Sequence, residues 1–210
     1  MARPSHVLVS FAGGSSARVR LLWDEAPKTI SALLSMCDPT KKSFEVGALH
    51  ARHSGAEAIF ITPSVLRDVG DENQEPAPRC GDFLFGYEPK GICAHGCRRW
   101  LGHELKCRAA ALHAWKLNHS VPCCAPLIAA GNHAHEDVSE VAWLYHDACV
   151  PRRWVSVDGD PTNQRGPFKT VDVALNKWGK VEGDAAAFYA ESGALPKTGM
   201  KTMIFSIEDA

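Results

Sequence analysis

Short segments of alternating apolar and polar residues recur along the chain, and a protein built from so many strands has sheet edges to hide. HVLVSFA (6–12) and ARVRLLW (17–23) come first, joined by GGSS, a hairpin signal. In the second run Val19, Leu21 and Trp23 alternate with Arg18, Arg20 and Leu22, which predicts one buried face. DFLFGYEP (82–89), DVSEVAWLYH (137–146), RRWVSV (152–157) and the final MKTMIFSIE read as further strands. DEAPKTISALLSMC predicts a short amphipathic helix: Asp24 can cap it, Pro27 fits its first turn, and Ile30, Leu33, Leu34 and Cys37 share a face. FKTVDVALNKWGKV is read as a second helix through Val171, Ala174, Leu175 and Trp178. Many strands, few helices and a strand near each end predict a mainly β protein, a closed barrel with one or two short helices.

Composition narrows the class of function. The 210 residues can bury one substantial core, and 45% hydrophobic with 22% charged residues is ordinary for a globular domain. The formal net charge is −1 and no basic block stands out, so nucleic acid is not an expected partner. The first apolar run is about six residues, too short for the core of a signal peptide. No stretch reaches the roughly 20 apolar residues that span a bilayer. The expectation is a cytoplasmic protein, its eight cysteines serving as thiols or metal ligands rather than as a disulfide framework.

Residues 96–135 stand apart. They hold four of the eight cysteines and five of the ten histidines with a single acid, Glu104. Ala-His occurs on both sides, at 94–95 and 134–135, and removing the block leaves a natural passage from loop to strand. The block is read as an insertion in one barrel domain spanning 1–210. Cys93, Cys97, His103 and Cys107 offer zinc-type ligands, but their spacing matches no common finger, and sequence that is not normally translated would look the same. No metal site and no cofactor are assigned.

Chemistry concentrates in ALHARHSGAEAIFIT (48–62). On one long strand, or a bent pair, His50, Arg52 and Ser54 face one way, and Gly55 can bend the chain so that Glu57, Ile59 and Ile61 fall together. Such a polar row is costly against an apolar core unless it meets solvent, a hydrogen-bonded network or a ligand. Arg52 can grip a carboxylate with paired hydrogen bonds, and His50 can move a proton near neutral pH. The long loop 63–81 adds Glu72 and Asn73, and Tyr87 ends the next strand. Catalytic candidates are therefore His50, Glu57 and Glu72; candidate substrate-binding residues are Arg52, Ser54, Asn73 and Tyr87. A solvated or hydrogen-bonded barrel wall without chemistry is the competing reading.

The run ARVRLLWDEAPKTISALL resembles the cyclophilins, where a strand leads into a Pro-Lys-Thr helix start. Neither a Gln-Gly-Gly-Asp run nor an Asn-Gly-Thr-Gly-Gly loop is present, so prolyl isomerase activity is not expected. The chain is more similar to an uncharacterised cyclophilin-like family known only as a domain of unknown function. The shared motifs are Asp24–Thr29, His50–Glu57 with one extra Ala before the Glu, Glu72-Asn73 and Gly81-Asp82, over roughly 5–95 and 136–208. The resemblance implies a cyclophilin-like β-barrel. By analogy with cyclophilin-like domains of allophanate hydrolase and oxoprolinase complexes, it points to small amide- or carboxylate-bearing compounds. A hydrolase or lyase is the first expectation and a non-catalytic ligand-binding module the second; a homodimer is permitted but not required.

Overall fold

The computed structural model describes residues 3–51, 55–88, 138–147, 149–157 and 168–208. The block 96–135, including Cys97, His103 and Cys107, lies outside them, as do Cys93, Arg52 and Ser54.

Among the described residues, eleven strands and two helices follow one another: β1 (His6–Phe11), β2 (Ser16–Leu21), α1 (Pro27–Leu34), β3 (Ser43–His50), β4 (Glu57–Ile61), β5 (Gln74–Glu75), β6 (Asp82–Glu88), β7 (Val138–Leu144), β8 (Arg152–Ser156), β9 (Phe168–Asp172), β10 (Leu175–Glu182), α2 (Ala186–Thr198) and β11 (Lys201–Ile207). Eight strands form a closed antiparallel barrel in the order β2-β1-β11-β3-β4-β7-β6-β10, with β10 returning to pair with β2. β5 adds a two-residue bridge to β10, and β8 and β9 form a separate two-stranded ribbon.

Strand alternation decides what fills the barrel. In β2, Ala17, Val19 and Leu21 are buried while Ser16, Arg18 and Arg20 are exposed. In β1, Val7, Val9 and Phe11 are buried, as the hairpin pattern predicts. These side chains meet Phe44, Phe60, Phe83, Trp143, Trp178 and Phe205 in one aromatic-rich interior. Phe44 stacks on Phe205 at 4.7 Å, and Phe83 on Trp143 at 5.8 Å. A second apolar cluster, of Leu49, Ile59, Leu84, Ala142 and Leu175, lies on the other face of the same wall.

Two elements differ from the sequence reading. The segment read as a helix forms β9 and β10 instead. β10 pairs with β5, β6 and β2, and its ladder to β6 shifts register between Lys177 and Gly179, around the buried Trp178. Closing the ring satisfies β10's backbone groups on both edges, which outweighs a pattern equally compatible with a helix. The other described helix lies further on, at α2, where Phe188, Ser192 and Leu195 form a narrow buried strip. Phe188 reaches Phe11, Phe83 and Trp143, and Trp143 Nε1–H donates to Ser192 Oγ at 3.0 Å.

Candidate functional site

The expected bend in the 48–62 segment is present. β3 ends at His50, β4 begins at Glu57, and Ala51 N–H donates to Glu57 O at 2.9 Å across the turn. Gly55 has φ 86, a conformation that glycine adopts without the steric cost a side chain would bring. In the ladder, Ala48 lies opposite Phe60 and His50 opposite Ala58. His50 therefore shares the face of Ala48, which belongs to the interior cluster, whereas Glu57 shares the face of Ile59, which belongs to the outer one.

His50 meets a residue that the sequence reading did not single out. Tyr145 lies two residues beyond the interior Trp143, just past β7, and its hydroxyl is 3.0 Å from His50 Nδ1. The same hydroxyl lies 3.5 Å from the Gly55 carbonyl oxygen. A Cβ built on Gly193 of α2 would sit 3.6 Å from Tyr145 Cε2, so the phenol ring is packed against that helix. Burial, then the neighbouring Cys149 and Glu57 charges, push the Tyr145 hydroxyl above its ordinary pKa, so the phenol keeps its proton.

Glu57 is 3% exposed, and its charge acts on both Tyr145 and Cys149. Cys149 is 4% exposed; burial pushes its thiol pKa up, although the Ala56 N–H bonded to its sulfur works the other way. A low-pKa thiolate nucleophile needs the opposite balance. Tyr145 thus stands between the two faces of the wall: it bonds His50 on the inner one, and the charge of Glu57, on the outer one, reaches both it and Cys149.

The remaining candidates do not join them. The Glu72 carboxylate accepts from Lys28 N–H at 3.1 Å, Thr29 N–H at 2.7 Å and Thr29 Oγ1–H at 2.9 Å. It therefore caps α1 from outside the helix. Ala26 occupies the N-cap position without a side-chain bond, so the cap expected of Asp24 is supplied by Glu72. Asn176 of β10 locks this arrangement. Its Nδ2 donates to Thr29 Oγ1 at 3.1 Å and to Gly70 O at 2.8 Å, while its Oδ1 accepts from Glu72 N–H at 3.0 Å and from Gln74 Nε2. Asn73, at φ 43, donates through Nδ2 to Lys177 O at 2.7 Å and accepts from Lys177 N–H at 3.1 Å.

Glu72 and Asn73 are thus tethered to β10, four strands round the eight-stranded ring from β3. Tyr87 is on β6, three strands from β3, half-buried against the interior and opposite Ser139 in the ladder. Sequence spacing could not separate these groups from His50, because strand order rather than strand sequence sets the distance between walls.

Among the described residues, no cluster of three or more His, Cys, Asp or Glu side chains suits a metal ion. No described helix is long and apolar enough to cross a membrane. Among the described residues, Cys37, Cys80 and Cys149 are thiols and not halves of a disulfide.

Fold and site together define a closed antiparallel β-barrel with a histidine–tyrosine pair at one end. Residues 10–101 match the model of a family described as a protein of unknown function, DUF3830. No curated protein matches the chain. Among solved structures, the chain is similar to a hypothetical protein from Archaeoglobus fulgidus, determined in solution, with 12% identity, a TM-score of 0.43 and 98% of each chain covered.

Proposed function

We propose that the protein is an enzyme of hydrolase or lyase type that acts on a small carboxylate- or amide-bearing compound at the barrel end where His50 and Tyr145 meet. The observation that carries this reading is the 3.0 Å contact between His50 Nδ1 and the Tyr145 hydroxyl, with the buried Glu57 nearby. A histidine oriented by a second side chain, itself in the field of a buried carboxylate, is an arrangement suited to acid–base chemistry. Glu57 is the carboxylate of this reading, because Glu72 is engaged as a helix cap. Arg52 and Ser54 follow His50 in the chain; here Arg52 grips the substrate carboxylate and Ser54 adds a hydroxyl. We also read the barrel as cyclophilin-like, and the protein as cytoplasmic.

A second reading, a non-catalytic module for the same class of ligand, is favoured by the tethering of Glu72 and Asn73 to backbone groups. One screen separates the two. The protein is heated with a panel of monocarboxylates and primary amides, and each stabilising compound is then assayed for turnover. Product formation that is lost in both His50→Ala and Arg52→Ala, with the fold retained, supports the enzyme. Saturable stabilisation without product supports the module. Full turnover in both variants would remove the assigned site.

A further inference from the structure

We propose that His6 is a proton-sensitive clasp across the seam where the barrel closes. Neutral, with its hydrogen on Nε2, it ties Arg18 to Glu182; protonated, it lets Arg18 go. The clasp does not draw on the functional reading above, and either can fail without the other.

Its residues meet because outward positions on four adjacent strands fall in line. β10, β2, β1 and β11 are neighbours in the ring, and the pairing of β10 with β2 closes it. In the ladders Arg20 lies opposite both His6 and Lys180, and Arg18 lies opposite Glu182. Just past β11, Glu208 N–H donates to the His6 carbonyl oxygen at 3.3 Å. Alternation turns Val7 and Val19 into the core and leaves His6, Arg18 and Arg20 outside it. The His6 side chain is nonetheless only 12% exposed, because these long neighbours cover it.

The proton count follows from partners that can each play one part only. His6 Nε2 is 2.9 Å from Glu182 Oε2, and Nδ1 is 3.0 Å from Arg18 Nη2 and 2.8 Å from Ser5 Oγ. A guanidinium has hydrogens and no acceptor, so Nδ1 must present its lone pair to Arg18. An ionised carboxylate only accepts, so Nε2 must carry a hydrogen. The bond from His6, and then the neighbouring Arg20, hold the Glu182 carboxyl below its ordinary pKa against the opposing effect of burial. The Nδ1–H tautomer would set hydrogen against hydrogen at Arg18 and lone pair against lone pair at Glu182. The imidazolium keeps Glu182 and loses Arg18.

Ser5 gives the change two defined ends. Its hydroxyl can donate to a bare Nδ1 or accept from Nδ1–H, so a proton arriving from solvent is met by rotation of the serine. Arg18 has no such freedom: its Nη2–H loses an acceptor and faces a like charge. Its Nε–H bond to Glu208 Oε2, at 2.6 Å, is not touched by the change. The charges around His6 are thus Arg18 and Arg20 of β2, Glu182 and Lys180 of β10, and Glu208 beyond β11, with Arg20 paired to Glu182 at 2.7 Å. The sign follows directly. The link to Arg18 is present while Nδ1 is bare and is lost as the pH falls through the titration of His6.

The test is nitrogen-15 NMR of the uniformly labelled full chain, with the His6 ring signals assigned by their loss in His6→Gln. At about pH 8 the expected form is neutral and protonated on Nε2. Lowering the pH from about 8 to about 5, the window in which an imidazole changes charge, should move the Arg18 side-chain signals in step with the His6 ring. In His6→Gln, which retains every carboxylate, the Arg18 signals should not follow that course. A charged or Nδ1-protonated His6 at about pH 8 would overturn the proposal. So would Arg18 signals that ignore the titration of His6, or that move alike in wild type and variant. Should the variant fail to fold, the His6 ring is assigned through the β1 backbone, and the wild-type tautomer and the shared titration decide.

Discussion

Single side chains show how much of this protein is held together by groups far apart in sequence. Glu191 of α2 accepts from Ser15 N–H at 2.9 Å, Ser15 Oγ–H at 2.6 Å and Lys201 Nζ at 2.7 Å. It thereby pins the helix to the β1–β2 turn and to the start of β11. Burial works against its charge, but these bonds outweigh it and hold the carboxyl at about 2, against an ordinary 4.5. Because the folded value is the lower one, the stabilisation is complete above about 4.5 and is lost as the pH falls towards 2. Urea unfolding over that window should show a steep acid limb in the wild type and a shallower one in Glu191→Gln. Legibility at this scale is uneven. His50 stands out because a polar row in an otherwise apolar strand needs a reason. Tyr145 does not stand out, because its partner lies 95 residues away and nothing local marks it.

Among the elements, α1 is the clearest case of a helix whose start was legible while its cap was not. Pro27 and the spacing of Ile30 and Leu33 announce the helix. The carboxylate that satisfies its first N–H groups arrives 43 residues later, from a loop whose acids look merely solvated in sequence. Replacing Glu72 by Ala should cost about 1–2 kcal/mol, the range for losing a helix cap. Chemical denaturation measures it, and Glu72→Gln, which keeps one acceptor oxygen, should recover part of the loss. Ligand affinity should stay unchanged in both, since β10 lies across the ring from His50. The helix expected over β9 and β10 failed for a different reason. Val171, Ala174, Leu175 and Trp178 fit a helical period, and only the need to pair with β6 and β2 settles the matter. α2 escaped notice because Phe188, Ser192 and Leu195 make a strip with one polar member.

For the molecule as a whole, the barrel was legible in the number of strands and in their one-sided burial, which together call for a closed sheet. The order of the strands round the ring was not legible, and it is this order that sends Glu72, Asn73 and Tyr87 to walls other than the one bearing His50. Stability should be distributed accordingly. Each strand of the ring is bonded on both edges, whereas β8 and β9 bond to one another in a two-stranded ribbon. Isolated pairs of strands are marginal. Amide hydrogen exchange should therefore release Trp154 and Val171 of the ribbon well before Val9 and Phe205 of the ring, and equal protection in both would show that the ribbon opens only with the barrel.

β11 lies between β1 and β3, paired to both. During synthesis the ribosome makes those two neighbours early and the strand that separates them after every other. The nascent polypeptide consequently waits with two unmatched seams, open to mispairing or to a chaperone, and the ring can be sealed only once its last staves have left the exit tunnel.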